Sequence, residues 1–141
     1  MSEKFQILAN FIKDISSETP DVQSYLFVKD NISKYKLNID INSKAIKNKM
    51  IEVNTILKLT PREDVKNKML TEINLTSLVS IDKNFDDKKE LEKIILIKVP
   101  TETYPTLYET FVYLFAQAGI KNISIEKEVN FEKMYKEKNK S

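Results

Sequence analysis

The chain has 141 residues, with 23 Lys and Arg against 21 Asp and Glu, so its net charge is only +2. This length corresponds to one domain, and so small a charge does not by itself predict a nucleic-acid or anionic-membrane partner. The chain lacks Cys and His and has one glycine. Without Cys and His the chain cannot form disulfides or use thiolate or imidazole catalysis. A single glycine is too few for a glycine-rich phosphate loop. The composition favours a binding protein over an enzyme, and we expect no metal or cofactor.

Four segments in the first 81 residues alternate apolar and polar side chains, which predicts β-strands. The first begins at Phe5 and has apolar residues on both faces, because Leu8 and Ile12 stand opposite Phe5 and Phe11. The other three strands are predicted over residues 37–41, 51–59 and 69–81, with a turn at 61–64. In the last strand one face carries the apolar residues Met69, Ile73, Leu75, Val79 and Ile81.

After residue 82 the apolar spacing becomes helical. Residues 85–99 are predicted to form a helix that ends at Pro100. A second helix is predicted over 106–118, because Thr106 and Glu109 have capping-box spacing and Gly119 is a suitable residue to follow its end. Residues 120–125 are compatible with a short strand. Strands followed by helices predict an α+β fold, with helices on one face of an antiparallel sheet.

The helix predicted over 106–118 is apolar nearly all round, whereas a surface helix has one apolar face. Its apolar side chains form two stripes: Leu107, Phe111, Leu114 and Ala118, and beside them Tyr108, Val112 and Phe115. The domain's own sheet can cover one face. The apolar surface of the helix that the sheet does not cover predicts an oligomer interface or a binding groove. A fully buried core helix is the alternative interpretation.

No targeting or membrane segment is expected. The first five residues do not form a secretory signal, and the apolar runs 94–97 and 111–116 are too short to span a bilayer. A cytoplasmic protein without direct membrane insertion is the prediction. The segment 23–50 carries six Lys against two Asp, so nucleic-acid binding through Lys34, Lys36, Lys44 and Lys47 is an alternative function.

Several short motifs, in order along nearly the whole chain, resemble the SecB protein-export chaperones. These motifs are Phe5-Gln-Ile7, Lys13-Asp-Ile-Ser16, Glu18-Thr-Pro20, Val28-Lys-Asp30, Leu70-Thr-Glu72, the spacing of Pro100 and Pro105, Gly119, and Val129-Asn-Phe131. The resemblance implies a four-stranded antiparallel sheet with helices on one face. It also implies a homotetramer, a dimer of dimers, that holds unfolded precursor proteins in apolar grooves without ATP and delivers them to the SecA ATPase.

The resemblance assigns roles to particular residues. The SecA-docking residues would be Asp14, Glu18, Leu70 and Glu72, and the contact between dimers would involve Thr71 and Ile73. The candidate client groove is Leu37, Ile39, Ile51, Val53, Tyr108, Phe111, Val112 and Phe115. Carboxylates beside one apolar side chain suit a basic partner, although acids on a strand face also keep an edge soluble.

Members of this family are usually acidic, so a chain with net charge +2 is expected to attract a basic SecA tail less strongly. We expect one SecB-like domain over residues 1–135 and a disordered charged tail over 136–141. The runner-up function is a SecB-like chaperone dedicated to a toxin–antitoxin client. The presence of the docking set argues against it, because a dedicated chaperone need not keep that set.

Overall fold

The computed structural model describes residues 4–62, 68–120 and 125–138. Among these residues, three helices follow the four strands, and one helix lies between the first two strands. In chain order the elements are β1 (Phe5–Glu18), α1 (Val22–Asn31), β2 (Tyr35–Ala45), β3 (Met50–Pro61), β4 (Leu70–Ile81), α2 (Lys88–Lys93), α3 (Val99–Gln117) and α4 (Phe131–Lys138). A short 3-10 turn, Ile32–Lys34, joins α1 to β2, and a π-helical turn, Ile94–Lys98, joins α2 to α3.

The four strands form one antiparallel sheet in the order β1-β4-β3-β2. The strands β2, β3 and β4 pair with their neighbours in sequence, whereas β1 pairs with β4. The connection through α1 therefore crosses from β1 at one edge of the sheet to β2 at the other. The predicted α+β fold is confirmed. Both β1 and β2 are edge strands, so β1 presents one row of backbone groups that none of the other described strands pairs with.

Two register shifts in β1 explain why its sequence is apolar on both faces. They lie between Ile7 and Ala9 and between Ile12 and Asp14, so Leu8 and Lys13 are extra residues relative to β4. Each extra residue moves the following side chains to the opposite face of the strand. Strict alternation therefore fails along β1, although the strand continues to Glu18.

The main core lies between the sheet and the helices. All five residues predicted for the apolar face of β4 are at most 6% exposed, and Ile73 packs in one cluster with Leu107, Phe111 and Phe115 of α3. The rings of Phe111 and Phe115 lie 4.7 Å apart between centroids. Helix α1 was not predicted; it begins after Asp21, whose carboxylate accepts a hydrogen bond from Ser24 N–H at 2.8 Å, and it buries Val28.

The predicted boundary between two helices at Pro100 and Pro105 is wrong. Helical backbone runs through both prolines from Lys88 to Gln117, so Thr106 lies inside α3 and does not cap it. In the preceding π-helical turn, Val99 N–H bonds to the carbonyl of Ile94, five residues back. A wider turn at this point is a local adjustment that lets a helix pass a residue without an N–H.

The helix end at Gly119 is confirmed. Gly119 has φ +82°, its N–H donates to the Ala116 carbonyl at 3.1 Å, and Ile120 N–H donates to the Phe115 carbonyl at 2.9 Å. These two bonds are those of a Schellman motif, in which glycine takes the left-handed conformation at low cost. Tyr25 of α1 covers this turn, and its hydroxyl donates to the Gly119 carbonyl at 3.3 Å.

The C-terminal segment packs against the start of α3. Phe131 is 2% exposed and meets the Tyr104 ring edge-on at 5.9 Å. The Tyr104 hydroxyl donates to the Glu126 carbonyl, and burial raises the pKa of Tyr104 to about 12. Helix α4 extends to Lys138 and so includes three residues of the predicted tail. Residues 139–141, and positions 121–124 of the predicted short strand, lie outside the described residues.

Candidate functional site

The four residues assigned to docking come together on the face of the sheet that points away from the helices. Leu70 and Glu72 alternate along β4 with the buried Thr71 and Ile73, so they point outward. In the register with β1, Glu18 lies opposite Leu70, Ser16 opposite Glu72, and Asp14 opposite Asn74. Residues opposite each other in an antiparallel pair share a face. We call Asp14, Glu18, Leu70 and Glu72 the acidic corner.

The acidic corner has the composition of a docking surface for a basic group. Asp14 and Glu18 are exposed on the edge strand, and Leu70, directly opposite Glu18 on β4, is an apolar side chain 41% exposed. Within the described part of the chain, neither Asp14 nor Glu18 has an ion pair. Glu72 differs, because Lys58 Nζ on β3 lies 3.9 Å from its Oε1 atom.

A hydrogen-bonded network occupies the middle of the same face. Lys13 Nζ lies 3.2 Å from Glu52 Oε2, and Asn54 donates to Glu52 and to Asn42 at 2.9 Å each. Thr76 Oγ1 donates to Asn54 Oδ1 at 2.7 Å. The Asn54 hydrogen bond, followed by that from Lys13, lowers the pKa of Glu52. Because its partners already hold Glu52, this carboxylate is less available than those of the acidic corner.

Exposed apolar side chains also lie along β1, with Ile12 and Ile15 on the helical face of the sheet and Phe11 on the same face as the acidic corner. The set comprises Leu8, Phe11, Ile12 and Ile15, which are 39–51% exposed and which we call the apolar edge. Ile12 and Ile15 pair with Leu75 and Ile73 on β4, which are 2% and 0% exposed. The covered apolar layer on β4 thus continues uncovered onto β1. This is the kind of surface that a second protein chain covers.

The predicted client-groove residues lie on the helical side, and most are covered. Val53, Phe111 and Phe115 are fully buried, and Val112 is 36% exposed. The remaining four are partly buried against the core: Leu37, Ile39, Ile51 and Tyr108. Within one chain these residues form core rather than an open groove, and their role in client binding stays a prediction.

The two residues predicted to join dimers are also buried. Thr71 is 1% and Ile73 0% exposed, and the Thr71 hydroxyl lies 3.2 Å from that of Ser17. They do not reach the surface of the isolated chain, so their contact with a second dimer stays a prediction.

Two features of the surface were missed from the sequence. Val22 and Leu26 of α1 are 69% and 52% exposed, and no regular apolar spacing in this segment indicated a helix. The pairing of Lys58 with Glu72 depends on the register of β3 against β4, which no local pattern contains.

Each lysine proposed for nucleic-acid binding is exposed: Lys34, Lys36, Lys44 and Lys47.

The described residues offer no metal-binding cluster and no membrane-spanning helix. Among them, no three acidic side chains converge to hold a metal ion. None of the described helices is long and apolar enough to cross a membrane. A recess of about 630 Å³ between the start of β1 and α3 carries Lys4 and Lys98 beside Glu90, Glu102 and Glu132. Its mixed charges suggest no particular ligand, so the acidic corner and the apolar edge remain the candidate site.

Comparison with known proteins identifies the family. The SecB family, described as preprotein translocase subunit SecB, matches residues 1–141. A protein-export protein SecB of Pelagibacter ubique is 51% identical over 138 residues, covering 98% of this chain and 99% of that protein. The chain therefore belongs to the SecB family, whose members are non-enzymatic chaperones of protein export.

A more distant relative agrees with this assignment, and a solved structure shares the fold. A protein-export protein SecB of Alkalilimnicola ehrlichii is 27% identical over 138 residues, covering 96% of this chain and 70% of that protein. A SecB-like chaperone of Mycobacterium tuberculosis, solved with a peptide from an antitoxin, superposes with a TM-score of 0.62 at 12% identity. The match covers 87% of this chain and 88% of that one, and shows that the fold is shared.

Proposed function

We propose that this chaperone is an ATP-independent, cytoplasmic holdase that binds unfolded precursor proteins and delivers them to the SecA ATPase. The observation that supports this most directly is the acidic corner, where residues from β1 and β4 place carboxylates around an exposed leucine. Such a surface favours a basic partner by charge steering and provides one apolar anchor. The chain needs no cofactor and no catalytic group for this function.

The assembly in this proposal is a homotetramer, a dimer of dimers. The unpaired outer side of β1 and its apolar edge suit pairing with β1 of a second copy, which would cover Ile12 and Ile15 and extend the sheet. Contacts near Thr71 and Ile73 would then join two dimers. Clients would bind apolar surface on the helical side, where Val112, Val22 and Leu26 are among the exposed apolar side chains.

Native mass spectrometry tests the proposal directly. We expect the protein alone to give a species of about 66 kDa, four times 16.5 kDa. The species should retain an unfolded secretory precursor and ignore the same precursor once folded, because binding depends on exposed apolar segments. A species that binds neither form would contradict the holdase proposal.

Charge reversal in the acidic corner tests the docking role. The double variant Asp14→Lys with Glu72→Lys should weaken binding of a SecA tail peptide at least about tenfold, because it replaces attraction with repulsion at two positions. Isothermal titration calorimetry at about 50 mM salt measures this effect, and precursor binding should not change.

Asp40→Lys is the matched control for charge reversal. Asp40 is exposed on the opposite edge strand, β2, three strands away from Asp14 in the sheet. It carries the same change of charge as each of the two reversals taken singly, and it should alter peptide affinity less than twofold. An equal loss in this control would mean that net charge, rather than the acidic corner, governs docking.

A chaperone dedicated to an antitoxin is the second candidate. It is favoured by one observation, the fold shared with the SecB-like chaperone that was solved with an antitoxin peptide. The higher identity to a protein-export protein, 51% against 12%, favours export. Binding of antitoxin segments but not of several unrelated unfolded precursors would support the dedicated function instead.

A further inference from the structure

One residue of the acidic corner already has a cationic neighbour within the chain. Lys58 on β3 lies directly opposite Glu72 on β4 in the register, and their charged atoms are 3.9 Å apart. The side chains are 49% and 39% exposed, so the pair lies on the surface where a partner would bind. The other cross-strand neighbour of Glu72 is Ser16 on β1, which is neutral.

We propose that Lys58 competes with the basic partner for Glu72 and thereby limits the affinity of the acidic corner. The inference rests on the docking role proposed above and adds a residue that sets its strength. A partner ammonium or guanidinium group that approaches Glu72 must displace Lys58 Nζ and also meets its repulsion. An exposed ion pair at this distance is weak and salt-sensitive, so a partner can displace it.

Lys13, another lysine close to the acidic corner, does not have this role. Lys13 directly precedes Asp14 in the sequence, but its ammonium group lies 3.2 Å from Glu52 Oε2, within the hydrogen-bonded network. Glu52 is further held by Asn54. The observed partner of Lys58, by contrast, belongs to the acidic corner, which gives a structural reason for weaker docking that does not depend on net charge.

The test measures the affinity of the SecA tail peptide for wild type and for Lys58→Gln by calorimetry at about 50 mM salt. We expect Lys58→Gln to bind about two- to fivefold more tightly, the range that an exposed ion pair allows. Lys58→Arg keeps the charge and should bind like wild type. Lys44→Gln is the matched control, because Lys44 is exposed on β2, directly opposite Glu52, and loses the same charge far from Glu72.

A double-mutant cycle separates the ion pair from a general effect of charge. In the Glu72→Gln background, Lys58→Gln should improve affinity less than it does in the wild type, because the competition has been removed. An equal gain in both backgrounds, or an equal gain from Lys44→Gln, would overturn the proposal. So would unchanged affinity of Lys58→Gln.

These outcomes are distinguishable from a failure of docking itself. If wild type binds the peptide and the acidic-corner variant does not, docking holds, whatever Lys58 does. If neither wild type nor Lys58→Gln binds the peptide, both proposals are overturned. If Lys58→Gln binds and wild type does not, the competition is strong and the inference is supported.

Discussion

Replacement of Phe111 with alanine is expected to lower the free energy of unfolding by about 3–5 kcal/mol. Phe111 is 0% exposed and packs between β4 and the ring of Phe115. Its removal would therefore leave a cavity among side chains that pack on both sides of it. Urea denaturation followed by circular dichroism, at one fixed protomer concentration, measures the change, because oligomer stability depends on concentration.

Gln117→Ala is the control for this substitution. Gln117 is exposed at the end of the same helix, so the change should stay within about 0.5 kcal/mol. The experiment also tests the predicted role of Phe111 in a client groove. If Phe111→Ala kept the wild-type urea midpoint but lost precursor binding, the side chain would line a groove and the core assignment would be wrong.

Replacement of Ile15 with lysine is expected to convert the proposed tetramer into species of one or a few subunits. Ile15 is 44% exposed on the edge strand, beside Ile73 in the register. In the proposed assembly a second copy covers it, so a lysine there would place a charge in an apolar interface. Native mass spectrometry should then show a species near 16.5 kDa in place of one near 66 kDa, about four times that mass.

Ile46→Lys is the matched control for the edge strand. Ile46 is 41% exposed in the connection between β2 and β3, so the substitution changes charge and apolar area to a similar extent. We expect it to leave the oligomer intact. Persistence of the tetramer in Ile15→Lys would show that β1 does not form the contact between subunits, and another exposed surface would have to do so.

The strand predictions succeeded where one face is buried and the other is not. β3 and β4 alternate regularly because the helices cover one side of the sheet, and Met69, Ile73 and Leu75 on that side are at most 2% exposed. The first strand was harder to interpret, because two extra residues interrupt its alternation. Gly119 was recognisable because a left-handed residue at the end of a helix strongly favours glycine.

The helix predictions failed where tertiary contacts outweigh local preference. Proline at positions 100 and 105 usually ends a helix, yet the helix continues through both. Its apolar residues Leu107, Phe111 and Phe115 are all buried in the core, and this packing favours one continuous rod. Helix α1 was missed because its stability depends on burying Val28 in the core and on the contact of Tyr25 with Gly119. The residues that make these contacts are distant in sequence from α1.

The sequence alone determined the class of fold, the absence of Cys and His, and a set of motifs that resemble one chaperone family. These properties depend on composition, on local spacing or on the order of motifs along the chain, so they can be recognised without knowing which residues are in contact in the folded protein. The position of Asp14 and Glu18 beside Leu70 and Glu72, and the contact of Lys58 with Glu72, became visible in the folded chain. Strand register explains both: residues distant in sequence become neighbours only when the backbone hydrogen bonds of β4 with β1 and with β3 select one alignment each.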